Sequence, residues 1–196
     1  MQFVLASANL HKAKEIASLL PPQFELLNQT DLGVDSPIET GSTFVENAII
    51  KAKHAANITG LPAIADDSGL CVPALEGEPG IRSARFAGSD ATDADNVKLL
   101  LRRLRGTTER SASFHCVLVC LNSATDPAPL IAEGIWHGKI SEAPSGAGGF
   151  GYDPVFIVPN YNKTAAEISA AEKNAISHRG LALTKLCGEL IERYTA

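Results

Sequence analysis

The sequence predicts an α/β protein built on a mixed, twisted sheet with flanking helices, and three observations carry this. Short apolar runs alternate with longer stretches of helical periodicity. Thr caps and Gly or Pro stops punctuate the boundaries between them. Late in the chain two strand-like runs stand close enough to form a hairpin, adding antiparallel pairing to a βα-type order.

Phe3 to Ala6 reads as the first strand: the apolar start ends at once in Ser7-Ala8-Asn9, with neither the basic region nor the long apolar stretch of a signal peptide. Lys12 to Leu20 is helical and is stopped by Pro21-Pro22. Phe24 to Leu27 is a short second strand. Thr43-Phe44-Val45-Glu46 is a capping box, and the helix it opens runs to about Thr59, where Gly60 and Pro62 end it. Ala63 to Ala65 is a buried strand ending in Asp66-Asp67-Ser68-Gly69. Thr92 with Asp95 caps a helix carrying Leu99, Leu100 and Leu104. Ser111 to Leu121 is the longest strand, Leu130 to Trp136 its hairpin partner, and Val155 to Val158 a further strand. A helix from about Ser177 to Tyr194 closes the chain.

With 196 residues, 45% hydrophobic and 20% charged, the chain fits one domain spanning 1–196, without internal repeat or linker. No apolar run approaches the ~18 residues of a membrane span. The formal net charge of −5 argues against a broad nucleic-acid surface but leaves room for a small polyanion beside a bound cation. The four cysteines form no Cys-x-x-Cys pair; Cys116 and Cys120 share one side of a strand and read as buried free thiols, suited to a reducing cytoplasm. His115 precedes Cys116 but faces the other way, as adjacent strand residues must.

Chemistry is expected where strands end and helices begin. Ser7-Ala8-Asn9-Leu10-His11-Lys12 offers backbone N–H groups and an ammonium to a phosphate at a helix start, or is a plain N-cap. Asp66 and Asp67 follow an apolar strand, where carboxylates are costly unless a cation or donor compensates them. Glu39 in a loop can supply a second oxygen ligand, and magnesium takes one or two carboxylates plus water and phosphate oxygens. Lys51 lies one turn beyond Asn47 on one helix face and could reach that site; from spacing alone it reads as a solvated lysine.

Gly148-Gly149-Phe150-Gly151-Tyr152-Asp153-Pro154 places two aromatic rings and a carboxylate on a glycine-rich loop, with core packing and ring stacking both open for Phe150 and Tyr152. Glu172 to Gly180 brings the donors Lys173, His178 and Arg179 to a helix start. Stacking faces plus donors suit an oxo-purine nucleotide. The G-x-G-x-x-G match at 146–151 is set aside: a strand follows it, where the dinucleotide fingerprint needs a helix.

These residues resemble the inosine triphosphate pyrophosphatases (dITP/XTP pyrophosphatases). The resemblance runs nearly end to end through Ser7-x-Asn9-x-x-Lys12, Glu39-x-Gly41-x-Thr43-Phe44-x-x-Asn47-Ala48, Ala65-Asp66-Asp67-Ser68-Gly69-Leu70, Pro79-Gly80-x-x-Ser83-Ala84-Arg85, Gly149-Phe150-Gly151-Tyr152-Asp153-Pro154 and Glu172-Lys173-x-Ala175-x-Ser177-His178-Arg179. Ala8 stands where many members have Gly. The resemblance implies two lobes around a central substrate cleft, homodimers, a cytoplasmic setting and Mg²⁺-dependent cleavage of ITP, dITP and XTP to monophosphate and pyrophosphate, with no nucleic-acid or membrane partner. It implies Asp67 as general base and metal ligand and Glu39 as second ligand. Ser7 to Lys12, Lys51 and Ser68 would contact the triphosphate, and Phe150, Gly151, Tyr152, Asp153, Lys173, His178 and Arg179 the base. Two other readings are a Maf-like pyrimidine nucleotide pyrophosphatase, against which the base motif argues, and a nucleotide sensor without turnover, against which Glu39 and Asp67 argue.

Overall fold

The first strand, β1 (Gln2–Ala6), shows how the sheet is covered: alternation sends Phe3 and Leu5 to one face and Val4 and Ala6 to the other, and all four are buried. In the computed structural model, which describes residues 1–195, Phe3 and Leu5 join an apolar cluster with Ile16, Leu183, Leu186 and Leu190. Val4 and Ala6 join Ala48, Ala52, Ala55 and Ala56 on the opposite side. Ala196, the last residue of the expected domain, lies outside the described residues.

The helix α1 (Leu10–Leu19) starts two residues before the expected Lys12, because the Asn9 side chain accepts the N–H groups of His11 and Lys12. After β2 (Glu25–Asn28) comes α2 (Phe44–Thr59), where the expected capping box is intact and Gly60 ends the helix in the left-handed conformation at φ 69°. Next are β3 (Ala63–Cys71), α3 (Asp93–Arg103) behind its Thr92–Asp95 box, β4 (Ser111–Leu121) and β5 (Leu130–Ile140). The chain finishes with β6 (Phe156–Val158), β7 (Lys163–Thr164), α4 (Ala170–Ile176) and α5 (His178–Thr195).

The seven strands lie in the order β2-β1-β3-β4-β5-β6-β7. β1 pairs in parallel with β2 and β3, while β6 pairs antiparallel with β5 and β7, so the sheet is mixed as expected. Other boundaries also differ from expectation; β5, for one, runs on from Trp136 to Ile140. β3 does not stop at Ala65 but carries both aspartates inside the strand, since each finds a cation (below). β6 starts at Phe156 because Asp153–Val155, with Pro154 in it, forms a 3₁₀ turn. The last helix, α5, runs from His178 as expected; the short α4 before it, with its own capping box from Ser169 and Glu172, was not expected, and Ser177, extended at ψ 160°, separates the two.

The chain divides into two compact units, each built from separate segments. Unit 1 takes Met1–Asp67, Cys116–Gly134 and the chain from Arg179 on; unit 2 takes Ser68–His115 and Ile135–His178. Unit 1 holds the two clusters above. Unit 2 has its own, with Leu70, Leu100, Phe114, Trp136, Tyr152 and Phe156. All four cysteines are free, and Cys116 and Cys120 are fully buried, as expected. No helix among the described residues is long and apolar enough to cross a membrane.

Candidate active site

Unit 1 gathers two charged clusters around the end of its stretch of β3. Alternation gives the adjacent aspartates different neighbours. Asp66, 1% exposed, faces Lys12 at 3.0 Å and Arg179 at 3.6 Å. Arg179, itself buried, also bonds Glu15. Burial by itself would raise the Asp66 carboxyl, but Lys12, Arg179 and Lys51 outweigh it and hold it well below the usual carboxylate range.

Asp67 belongs to the second cluster. The Lys51 ammonium, at the end of an α2 turn, donates to Asp67 Oδ1 at 2.8 Å and meets Glu39 Oε1 at 2.9 Å. Asn47, one turn earlier, points its amide nitrogen at Asp67 Oδ2 at 3.5 Å and accepts the Gly41 N–H at 2.9 Å, which ties the Glu39 loop to α2. A side chain at Gly41 would meet Asn47 Oδ1 and Glu46 at 2.6 Å, so this approach needs glycine. Burial lifts the Asp67 carboxyl above its usual value and is only partly offset by Lys51. Lys51 moves up: burial pulls its ammonium down, but Asp66, Asp67 and Glu39 more than compensate, so it stays charged. The solvated-lysine alternative therefore does not hold: the Lys51 side chain is 12% exposed and doubly paired.

Two carboxylates converging on one positive charge are the oxygen donor set that suits a hard divalent cation, and Glu39 and Asp67 fit magnesium in this respect. Among the described residues no group of three or more His, Cys, Asp or Glu is assembled to hold a metal alone. The rest of the shell would be water and phosphate oxygen. Leading into α1, Ser7 Oγ accepts the Asn9 N–H at 3.3 Å, while Ala8, Asn9, Leu10 and His11 are exposed.

Unit 2 carries the aromatic loop. Gly149 has φ 72°, and a side chain there would lie 2.0 Å from Asp153 Oδ2. That oxygen accepts the Phe150 N–H at 2.9 Å and pairs with Lys173 at 2.6 Å, with both partners buried. The Lys173 ammonium also stands 4.7 Å from the centre of the half-buried Phe150 ring. Tyr152 takes the core alternative: its ring is 4% exposed and its hydroxyl donates to the Ser83 carbonyl at 2.9 Å. His178 stacks on Phe114, with centres 4.7 Å apart and planes 10° off parallel. Ser68 is half-buried at the start of this unit. A cavity of about 1240 Å³ opens between α3 and the loop, bordered by Asp93, Val97, Leu101, Gly149, Phe150 and Gly151.

Lys51, Glu39 and Asp67 thus come together, as do Phe150, Asp153 and Lys173. Arg179, grouped from sequence with the base-contacting donors, has its guanidinium on Asp66 and Glu15 in unit 1. Sequence reasoning passed over Glu15 and Asp93, and gave Ser83 no role beyond its motif. Asp93 accepts the Gly151 N–H at 2.6 Å, yet in the sequence it is indistinguishable from an ordinary first-turn helix acid. Glu15 meets Arg179 across 164 residues, which no local pattern announces.

The Ham1 family model matches residues 3–189. A dITP/XTP pyrophosphatase of Shigella flexneri is 58% identical over 190 residues, covering 95% of this chain and 96% of that protein. The dITP/XTP pyrophosphatase of Escherichia coli strain K12 is 56% identical over the same span of coverage. Among solved structures, a HAM1 protein from Coxiella burnetii aligns with TM-score 0.93 at 52% identity, covering 98% of this chain and 99% of its own. The Ham1 protein of Staphylococcus aureus aligns with TM-score 0.88 at 40% identity, covering 98% and 100%.

Proposed function

The chain belongs to the Ham1 family, and from that premise we propose its reaction: hydrolysis of non-standard purine nucleoside triphosphates, ITP, dITP and XTP, to the monophosphate and pyrophosphate. The observation that carries it is the meeting of Glu39 and Asp67 on the Lys51 ammonium.

Asp67 is the general base. Its raised pKa makes the carboxylate a better proton acceptor for an attacking water, and Asn47 and Lys51 hold its two oxygens. Lys51 keeps its charge and stabilises the negative charge that builds on the phosphates. Lys12 and the loop from Ser7 to His11 take the outer phosphates at the start of α1, where the Asn9 side chain caps the His11 and Lys12 N–H groups. Ser68 adds a hydroxyl. Glu39 and Asp67 would hold Mg²⁺, which when bound neutralises phosphate charge. Arg179, committed to Asp66 and Glu15, acts by fixing Asp66 beside Lys12.

We assign the base to the loop of unit 2. Phe150 offers a ring face, Lys173 and His178 offer donors, Asp153 aims Lys173, and Tyr152 and Gly151 shape the loop from its core side. A 6-oxo group accepts these donors. Adenine presents an amino group there, so donors would face donors, a mismatch worth about 10⁴-fold in kcat/KM. Removal of such nucleotides cleans the precursor pool of nucleic acids. The free cysteines suit a reducing cytoplasm, and the working form is a homodimer, which sedimentation would report as twice the chain mass.

Pyrophosphate release from a panel of triphosphates with Mg²⁺ tests the reading. Release from dITP, ITP and XTP well ahead of ATP and dTTP is expected. Preference for dTTP or UTP would replace it with the pyrimidine reading, and tight binding without pyrophosphate with the sensor reading.

A further inference from the structure

The loop that carries Phe150 is held by two carboxylates. From within, Asp153 accepts the Phe150 N–H and pairs with Lys173. From outside, Asp93, the first residue of α3, accepts the next N–H, that of Gly151, at 2.6 Å. Beside these residues, α3 and the loop both border the cavity of about 1240 Å³, with Asp93, Phe150 and Gly151 among the residues that line it. Where a wall of this kind borders open space, its position depends on the few bonds that cross to the opposite element.

Asp93 is not needed to start its helix. Thr92 and Asp95 already form a complete capping box, with Thr92 Oγ1 accepting the Asp95 N–H and Asp95 Oδ2 accepting the Thr92 N–H. Asp93 is exposed, and its carboxylate reaches 58 residues along the chain to a backbone donor beside Phe150. A charged acceptor on a backbone N–H is among the stronger hydrogen bonds a protein makes.

We infer that Asp93 is a positioning residue for base recognition: by holding the Gly151 peptide to α3, it sets where the Phe150 ring and the neighbouring Lys173 ammonium stand. This rests on the assignment of the base to the Phe150 loop. Asp93 touches no reacting atom in this scheme, so its loss weakens binding of the base and leaves the hydrolytic step intact.

Two variants separate the acceptor from the charge. Asp93→Ala removes both, while Asp93→Asn keeps a carbonyl acceptor and removes the charge; both leave the capping box in place. The expected result for Asp93→Ala is a rise of about tenfold in KM for dITP with kcat within about twofold, and unchanged inhibition by pyrophosphate. Asp93→Asn recovers most of the loss. Hydrogen exchange at the Gly151 amide, measured without nucleotide, rises in Asp93→Ala and stays near the parent rate in Asp93→Asn. Parent-like KM in Asp93→Ala, an equal fall in kcat, or failure of Asn to restore KM would overturn the role. Unchanged Gly151 exchange in Asp93→Ala would overturn the tie itself. Absence of dITP turnover in the unmodified protein would instead remove the substrate reading, while the exchange result would still report on the tie.

Discussion

Adjacent aspartates in one strand shift in opposite directions, Asp66 down and Asp67 up, because they have different neighbours. Asp67 is raised by burial and serves as base in the proposed mechanism. Asp67→Asn keeps the shape and the Lys51 contact while removing the proton acceptor, so turnover is expected to fall by about 10²–10⁴-fold with circular dichroism and melting behaviour retained. Near-parental kcat would remove Asp67 from that role. Asp66 is a structural anion. Its folded pKa lies below the unfolded value of about 4, so its contribution to stability is present in full above that value and is lost as pH falls through the folded pKa. Asp66→Asn leaves the buried Arg179 without one of its carboxylates and is expected to cost about 3–5 kcal/mol at neutral pH. The melting-temperature gap between parent and variant then narrows below pH 4; a constant gap down to pH 2 would contradict the assignment. Sequence could mark this pair as compensated but could not rank the two, because Lys12, Lys51 and Arg179 reach them from three distant segments.

Elements bounded by local chemistry were legible and those bounded by distant partners were not. α2 begins and ends where Thr43, Glu46 and Gly60 say it should, since caps act within four residues of the backbone groups they satisfy. β3 overran its expected end because the compensation for its charges comes from α1, α2 and α5. α5 began where expected, while α4, which was not expected, had its own local signal in the Ser169–Glu172 box. α2 also meets the sheet through Ala48, Ala52, Ala55 and Ala56, all small, which sets how closely the helix carrying Asn47 and Lys51 can approach β3. Ala52→Leu adds three carbons where there is no room and is expected to cost about 1–3 kcal/mol in urea unfolding. By shifting Lys51 it should also lower kcat; a variant as stable and as active as the parent would show that the spacing is not critical.

At the scale of the molecule, the alternation of strands and helices predicted the mixed sheet and the resemblance implied two lobes, but neither said which residues make each unit, because each is assembled from segments that are not neighbours in sequence. The candidate site was legible as motifs, and Glu39 with Asp67, like Phe150 with Asp153 and Lys173, stands as those motifs grouped it; that Arg179 pairs with Asp66 and Glu15 was not legible, because these come from distant segments. Burial pushes the Cys116 thiol up to about 12, slightly eased by Arg179, and the Cys120 thiol to about 12 as well. Neither forms appreciable thiolate at neutral pH. A thiol reagent is therefore expected to reach only Cys71 and Cys187 in the folded protein and all four after denaturation; labelled Cys116 in the native state would contradict that burial.

The segmented wiring has a consequence for how this chain is made. Unit 2 has all of its residues once His178 has been synthesised. In unit 1, Phe3, Leu5 and Ile16 have part of their cover in Ala182, Leu183, Leu186 and Leu190, which are made well over a hundred residues later. That face of β1 therefore stays partly open until after His178, while the stretch between can already close around its own core. Order of synthesis and order of burial run opposite ways in this fold.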